Sequence, residues 1–224
     1  MGGEAHFSEG LPVAVIAPLR DRRSGRRGSL SKEVGQMTWV NASKIETRKY
    51  LCGHCSEPIC SEIGYQESDP WNRIYICHNC GKPTYFSQQE QVPGPLVGAT
   101  IHKVPADIDK LYGEARRSFG VSAFTASVMA CRKIIMHIAV SRGAEEGLSF
   151  LKYVEYLSDK GFIPPDGKEW VDHIRTKGNE ANHEIKIMGA GDAEDLIIFI
   201  EGLLRFIYEF PSRIKKSAQP PKAV

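Results

Sequence analysis

Four cysteines in two closely spaced pairs constrain the fold of this chain more than any other feature. Cys52 and Cys55 form one Cys-x2-Cys pair, and Cys77 and Cys80 form a second pair after residues 56–76. Each pair can present two thiolates from one tight turn, and two such turns supply the four sulfurs of a tetrahedral Zn²⁺ site. The spacing therefore predicts a small β zinc ribbon over residues 46–90 with one Zn²⁺ per chain. Four protein ligands leave no open coordination position, so we expect a structural metal and not a catalytic one.

Three neighbouring side chains are alternative candidates for one of the four metal ligands. His54, His78 and Cys60 lie close enough in the sequence to replace one of the four cysteines. We expect none of them to bind the metal. A pair of redox disulfides would use the same four cysteines, but two pairs at this spacing favour zinc.

Composition and charge are those of an ordinary soluble protein. The 224 residues are 42% hydrophobic and 25% charged, with a net charge of +2, enough for one domain and a smaller one. No apolar run approaches the ~20 residues that cross a bilayer, and the first residues lack the pattern of a secretory signal. Six cysteines that are mostly reduced or metal-bound suit the cytoplasm, so we expect a cytoplasmic protein without a membrane partner.

The arginine-rich run from Arg20 to Arg27 has no apolar periodicity and predicts a basic N-terminal arm over residues 1–45. Such an arm attracts phosphates, but we favour a solvated extension without a specific role.

Apolar residues recur at helical spacing after residue 104. Residues 91–104 are polar and broken by proline, which predicts a linker, and residues 213–224 are predicted to be a C-terminal tail. The expected fold is mainly α, with a bundle of about five helices over residues 105–212 preceded by the ribbon. The last helix is apolar on nearly all sides, which favours a homodimer over a monomer with a central helix. The five predicted helices are Ile108 to Phe119, Phe124 to Ile138, Phe150 to Leu157, Trp170 to Ile174, and Ala193 to about Phe210.

A cluster of polar and titratable side chains follows the predicted fourth helix. It contains Arg175, Asn179, Glu180, Asn182 and His183. Histidine exchanges protons near neutral pH, and the arginine guanidinium carries fixed donors that suit phosphate. The alternative is structural, with Arg175 bonded to the carbonyls that end the helix and His183 bonded only to the loop.

Several motifs, taken in order, resemble a known family. They are the four cysteines, Leu111-Tyr112-Gly113-Glu114-Ala115, Ala130-Cys131-Arg132-Lys133, Arg175-x2-Gly178-Asn179-Glu180-Ala181-x-His183, and Tyr208-Glu209-Phe210-Pro211. Over roughly residues 48–211 the chain resembles the bacterial domain-of-unknown-function family numbered 4145. That family is grouped with the HEPN superfamily of helical, usually dimeric, domains.

The resemblance implies an HEPN-like bundle that acts on RNA without a metal. Many HEPN proteins are ribonucleases that use an arginine and a histidine at a dimer interface. Here Arg175 would offset charge on the phosphate, His183 would serve as acid or base, and Asn179 and Asn182 would support them. The expected function is an endoribonuclease or RNA-directed effector in bacterial defence against phage. The alternative is a non-catalytic dimeric adaptor that binds a nucleotide, a nucleic acid or a protein.

Overall fold

The computed structural model describes residues 39–69, 71–88, 90–163 and 187–217. A five-stranded antiparallel sheet comes first, with its strands side by side in chain order. The strands are β1 (Ser43–Leu51), β2 (Pro58–Gln66), β3 (Asn72–Ile76), β4 (Pro83–Ser87) and β5 (Glu90–Val92). The helices follow as α1 (Ala106–Gly120), α2 (Phe124–Ser141), α3 (Phe150–Asp159), α4 (Ala190–Leu204), a π-helical turn (Arg205–Glu209) and α5 (Phe210–Ser217).

The expectation of a mainly α fold, a five-helix bundle after a small ribbon, is wrong. The described residues combine an antiparallel sheet of five strands with helices. The sheet includes β1, a strand as long as β2 that the sequence did not predict. The polar sequence of β1 has no regular apolar alternation, and a register shift between Lys44 and Arg48 interrupts its pairing with β2. Sequence periodicity could therefore not reveal this strand, because alternation is the main sign of a half-buried strand. The strands expected at Arg73 to Ile76 and Thr84 to Phe86 do lie within β3 and β4.

Three aromatic rings form the interior of the sheet. Tyr50, Tyr75 and Phe86 contact one another with ring centroids 5.2–6.1 Å apart, and the Tyr75 and Phe86 rings meet edge to face. The guanidinium of Arg48 lies 4.0 Å from the centroid of the Phe86 ring and covers it. A sheet this small thus encloses its aromatic side chains with the stem and head of a charged residue from its own edge strand.

Gly64 allows β2 and β3 to approach, and its replacement by alanine is expected to destabilise the sheet. It pairs with Ser43 on one side and Tyr75 on the other, and an added Cβ would overlap the backbone carbonyl of Ile74. Backbone cannot move aside cheaply, so we expect a loss of about 1–3 kcal/mol in urea unfolding. Gly202→Ala is the control, since a Cβ at that position in α4 meets nothing. It should be neutral or stabilise by up to about 1 kcal/mol. Equal stability of the Gly64→Ala variant and the parent would contradict this packing.

The helices enclose one apolar core around α2, which packs against α1, α3 and α4. The first three predicted helices lie within α1, α2 and α3, whereas the predicted Trp170 to Ile174 helix lies outside the described residues. Cys131 of α2 is fully buried, and burial raises the pKa of its thiol to about 12. It is a core thiol, as expected for a cysteine on an apolar helix face.

Among the described helices α2 is long and apolar enough to cross a membrane by length and composition. It packs against three other helices and forms the centre of the apolar core. The cytoplasmic location stays a prediction.

The segment predicted as a linker, residues 91–104, bonds to both the sheet and the helices. The Gln91 side-chain amide donates to Leu51 O at 2.7 Å, and Gly94 N donates to Gly120 O at 2.6 Å. Buried Arg116 of α1 donates to the carbonyls of Val97 and Gly98 at 2.8 and 2.6 Å. These bonds hold the segment in place along the helical core.

Candidate metal centre

The four cysteines lie in two turns of matching backbone geometry. Cys52 and Cys55 occupy the turn between β1 and β2, and Cys77 and Cys80 occupy the turn between β3 and β4. In the first turn Ser56 N donates to Cys52 O, and in the second Gly81 N donates to Cys77 O, at 2.9 and 2.7 Å. Each first cysteine also donates its own N–H across the turn, to Glu57 O or Lys82 O, at 3.0 Å. Two equivalent turns thus present two sulfurs each toward one point.

The sulfur positions fit a tetrahedral metal ion. The Sγ atoms of Cys52 and Cys80 are 3.9 Å apart, those of Cys55 and Cys77 are 3.8 Å apart, and all four lie within 4.8 Å of one another. A regular tetrahedron with metal–sulfur bonds of about 2.3 Å has sulfur–sulfur edges of about 3.8 Å. A disulfide needs about 2.05 Å, so the cysteines are free thiols. The arrangement is compatible with a metal site, and none of the four cysteines forms a disulfide in this structure.

Hydrogen bonds to the sulfurs favour the charged thiolate that a metal requires. His54 N, Cys80 N and the Asn79 side-chain amide point at Cys52, Cys77 and Cys55, with N···S distances of 3.4–3.5 Å. Burial raises the pKa of the Cys55 thiol, but hydrogen bonds from Asn79, the Glu57 backbone and the neighbouring Cys52 and Cys77 thiols together lower the pKa to about 7.

The other three cysteines of the cluster behave differently, because burial dominates and raises the pKa of Cys52, Cys77 and Cys80. A bound cation supplies the positive charge that keeps such buried sulfurs ionised.

The three alternative ligands stand outside the cluster. The His54 ring places Nε2 2.9 Å from Pro83 O, where its N–H can donate to that carbonyl. His78 is exposed, and Cys60 is exposed on β2. Within the described part of the chain, the group of side chains able to share one ion consists of the four predicted cysteines.

The second predicted site is not placed. Arg175, Asn179, Asn182 and His183 lie outside the described residues. Their role as a catalytic group stays a prediction.

A charged ladder in the C-terminal helices escaped the sequence interpretation. Glu201, Arg205, Glu209 and Arg213 follow at i,i+4 spacing through α4, the π-helical turn and α5, with nitrogen–oxygen distances of 2.6–3.0 Å. Glu201 also accepts the N–H of Ala99 at 2.8 Å. Glu209 is only 2% exposed, and both its oxygens bond to arginines. The regular i,i+4 alternation of charge was the available sign, since such pairs face one another on a helix.

Replacing Glu209 with glutamine is expected to lower the melting temperature at neutral pH, because it removes the carboxylate shared by two arginines. The hydrogen bond from Arg213 is the largest cause that lowers the pKa of Glu209, and Arg205 adds to it. A lowered folded-state pKa gives stability that is present above the unfolded value of about 4.3 and lost as the pH falls through the folded value. The deficit of the variant should therefore be full at pH 7 and shrink below pH ~4. Glu114→Gln, at an exposed position on α1, is the control, and a pH-independent deficit would contradict the ion pairs.

Comparison with known proteins bears on the helical part of the chain. Residues 113–219 match the family model described as Domain of unknown function (DUF4145). This DUF4145 segment begins within α1 and extends past α5, so it contains most of the apolar core but neither the sheet nor the four clustered cysteines. The match supports the domain-of-unknown-function family that the motifs indicated, and it does not bear on the HEPN-like character or on the predicted zinc ribbon. Comparisons with curated proteins and with solved structures gave no match.

Proposed function

We propose that Cys52, Cys55, Cys77 and Cys80 hold one structural Zn²⁺, and that the DUF4145 segment is a non-catalytic adaptor supported by this metal-stabilised sheet. The observation that carries the metal part is the set of sulfur–sulfur distances, 3.8 and 3.9 Å, which match a tetrahedral thiolate site. Thiolates select Zn²⁺ over harder cations such as Mg²⁺ or Ca²⁺. With four ligands the ion has no position for water or substrate, so its role is structural.

The metal has a clear structural task in this sheet. The apolar cluster around it is small and consists of Cys52, Ile59 and Cys77, with Tyr50, Cys55 and Cys80 against it. Metal coordination cross-links the turn after β1 to the turn after β3, which replaces the larger core that a sheet of this size lacks.

Metal content and thiol titration test this part. Protein purified without added metal should contain one zinc per chain, and a chelator strong enough to remove it should make four additional thiols reactive. Protein without zinc whose thiols are all reduced would overturn the metal proposal.

The adaptor part rests on exposed aromatic side chains of the DUF4145 segment. Phe206 of the π-helical turn and Phe210 of α5 are 43% and 46% exposed. Adjacent large apolar side chains on a surface mark interaction sites more often than isolated ones do. This exposed surface supports a binding function for the segment.

RNA cleavage by Arg175 and His183, with support from Asn179 and Asn182, is the competing proposal from the sequence. Zinc-loaded protein should be incubated with structured and single-stranded RNA in buffer without added divalent ions. The adaptor proposal expects no cleavage by the parent, by Arg175→Ala, by His183→Ala, or by His137→Ala, a control histidine exposed on α2. Cleavage that is lost in Arg175→Ala and His183→Ala but kept in His137→Ala would establish the nuclease instead.

A homodimer through the helical segment is part of the same proposal. Ile198 on α4 is 42% exposed, and it belongs to the helix whose apolar sequence favours a second subunit. Light scattering should give twice the chain mass of 24.9 kDa at micromolar concentration. A particle of single-chain mass would count against the dimer.

A further inference from the structure

An open cleft lies where the ends of α2 and α3 meet the π-helical turn and α5. Its volume is about 830 Å³. We call it the aromatic cleft, and its principal lining residues are Arg142, Lys160, Phe162, Phe206, Tyr208 and Phe210. It lies within the DUF4145 segment and far along the chain from the four clustered cysteines.

The walls of the aromatic cleft include apolar side chains that are exposed to solvent. Phe206 in the π-helical turn and Phe210 at the start of α5 are four residues apart, and both line the cleft. A π-helical turn is a costly irregularity that is common at functional sites. Both rings keep more than two-fifths of their surface in water. Covering them would gain hydrophobic free energy, and two such rings side by side offer anchor points for apolar side chains of a partner.

The rim of the aromatic cleft is positively charged. The guanidinium carbon of Arg142 lies 5.3 Å from the Phe162 ring centroid and 5.4 Å from that of Tyr208. The ammonium of Lys160 lies 5.7 Å from the Tyr156 ring centroid. In the described residues neither cation forms a salt bridge, and no lining residue of the cleft is acidic.

Two neighbouring arginines form salt bridges of the kind that the rim cations do not form among the described residues. Arg205 and Arg213 lie on the adjoining turn and helix, and both pair with Glu209 at 3.0 and 2.6 Å. Arg142 instead rests against two rings, which hold the guanidinium in place without neutralising its charge. An anionic group on a ligand would complete the pairing that this cation does not make inside the described chain.

We propose that the aromatic cleft docks an acidic, amphipathic segment of a partner protein, with aromatic or aliphatic anchors on Phe206 and Phe210 and carboxylates on Arg142 and Lys160. This inference rests on the adaptor function and names the chemistry of its partner. The aromatic cleft is open to solvent, which suits a peptide that lies along it. A small molecule bound there would remain largely exposed to water. Nucleic acid fits less well, because surfaces that bind it carry rows of cations along its backbone, whereas the described residues of this rim include two, Arg142 and Lys160.

The test is selection of peptides about 15 residues long, or four helical turns, from a random displayed library on full-length zinc-loaded protein. Enriched peptides are then labelled with fluorescein and titrated by anisotropy. The proposal expects acidic peptides with large apolar residues. Arg142→Glu/Lys160→Glu should weaken these peptides about tenfold or more, because two attractive contacts become repulsive. Lys110→Glu/Lys133→Glu is the matched control, with the same charge change at exposed positions on α1 and α2 outside the cleft.

A further variant and the alternative outcomes distinguish the proposed peptide site from other occupants of the cleft. Lys160→Glu alone leaves the ring-stacked Arg142 intact and should still weaken binding, and circular dichroism checks the fold of each variant. Acidic peptides that bind every variant equally would overturn the cleft and leave an adaptor surface elsewhere. Enrichment of basic or uncharged peptides, or of none, would overturn the proposed chemistry. Single-stranded RNA that competes at the cleft would replace the peptide with nucleic acid, and a second copy of the chain would appear as a dimer that Phe206→Asp dissociates.

Discussion

Cys77→Ser is expected to remove the zinc and to unfold the sheet while most of the helical signal persists. Cys77 is fully buried, and its sulfur is 3.8 Å from that of Cys55. Serine cannot supply a thiolate, so the ion would lose one of four ligands. Apparent binding free energies of structural Zn²⁺ are about 10–16 kcal/mol in small zinc domains, as large as the stability of a whole protein at about 5–15 kcal/mol. Zinc content should fall from one per chain to near zero, and the strand contribution to circular dichroism should fall with it.

Cys60→Ser provides the matched control for this change. Cys60 lies on β2 between the two cysteine turns, but it is exposed and outside the sulfur cluster. Both variants replace one sulfur with one oxygen in the same small sheet. Zinc content and strand signal should stay at the parent level. Loss of zinc in both variants, or in neither, would show that the four clustered sulfurs are not the ligand set.

Ile197→Ala is the second change with a large expected effect. Ile197 is fully buried on α4, and its side chain lies close to the backbone of Gly98 in the segment that crosses the helices. Removing three carbons from a filled core loses hydrophobic burial and leaves a cavity. We expect a loss of about 2–5 kcal/mol in the free energy of unfolding, measured by urea titration of the helical signal.

The next residue of the same helix offers a control with an identical substitution. Ile198 faces outward and is 42% exposed, so Ile198→Ala should cost less than about 1 kcal/mol in the monomer. If the two changes cost the same, or if Ile198→Ala costs more, then α4 does not present the face described here to the core. Dependence of the Ile198→Ala effect on protein concentration would place that residue at a subunit interface.

Strong local patterns explain which features the sequence could predict. The cysteine pairs were informative because thiolate spacing in a tight turn is dictated by metal geometry, whatever the rest of the fold. The apolar repeat in α2, from Phe124 to Ile138, was equally direct because a core helix must place its large side chains on one face. Both features could be predicted without knowledge of contacts between residues that are far apart in the sequence.

Features that depend on distant partners were missed. β1 was hidden because its polar strand pairs with β2 and its C-terminal end leads into the first cysteine turn, and neither feature leaves an apolar alternation in its own sequence. The last predicted helix is in fact α4, a π-helical turn and α5. The i,i+4 ladder from Glu201 to Arg213 runs through all three, so it looks like one continuous helix in the sequence. The i,i+4 spacing indicates the pairing of Glu209 with two arginines, but the burial of Glu209 is a property of the folded packing.

X-ray absorption at the zinc edge of the purified parent protein tests the central claim most directly. A structural site formed by Cys52, Cys55, Cys77 and Cys80 predicts four sulfur neighbours at about 2.3 Å and no nitrogen or oxygen in the first shell. A shell that includes a nitrogen near about 2.0 Å would bring in a histidine such as His54 or His78 and contradict the four-cysteine site.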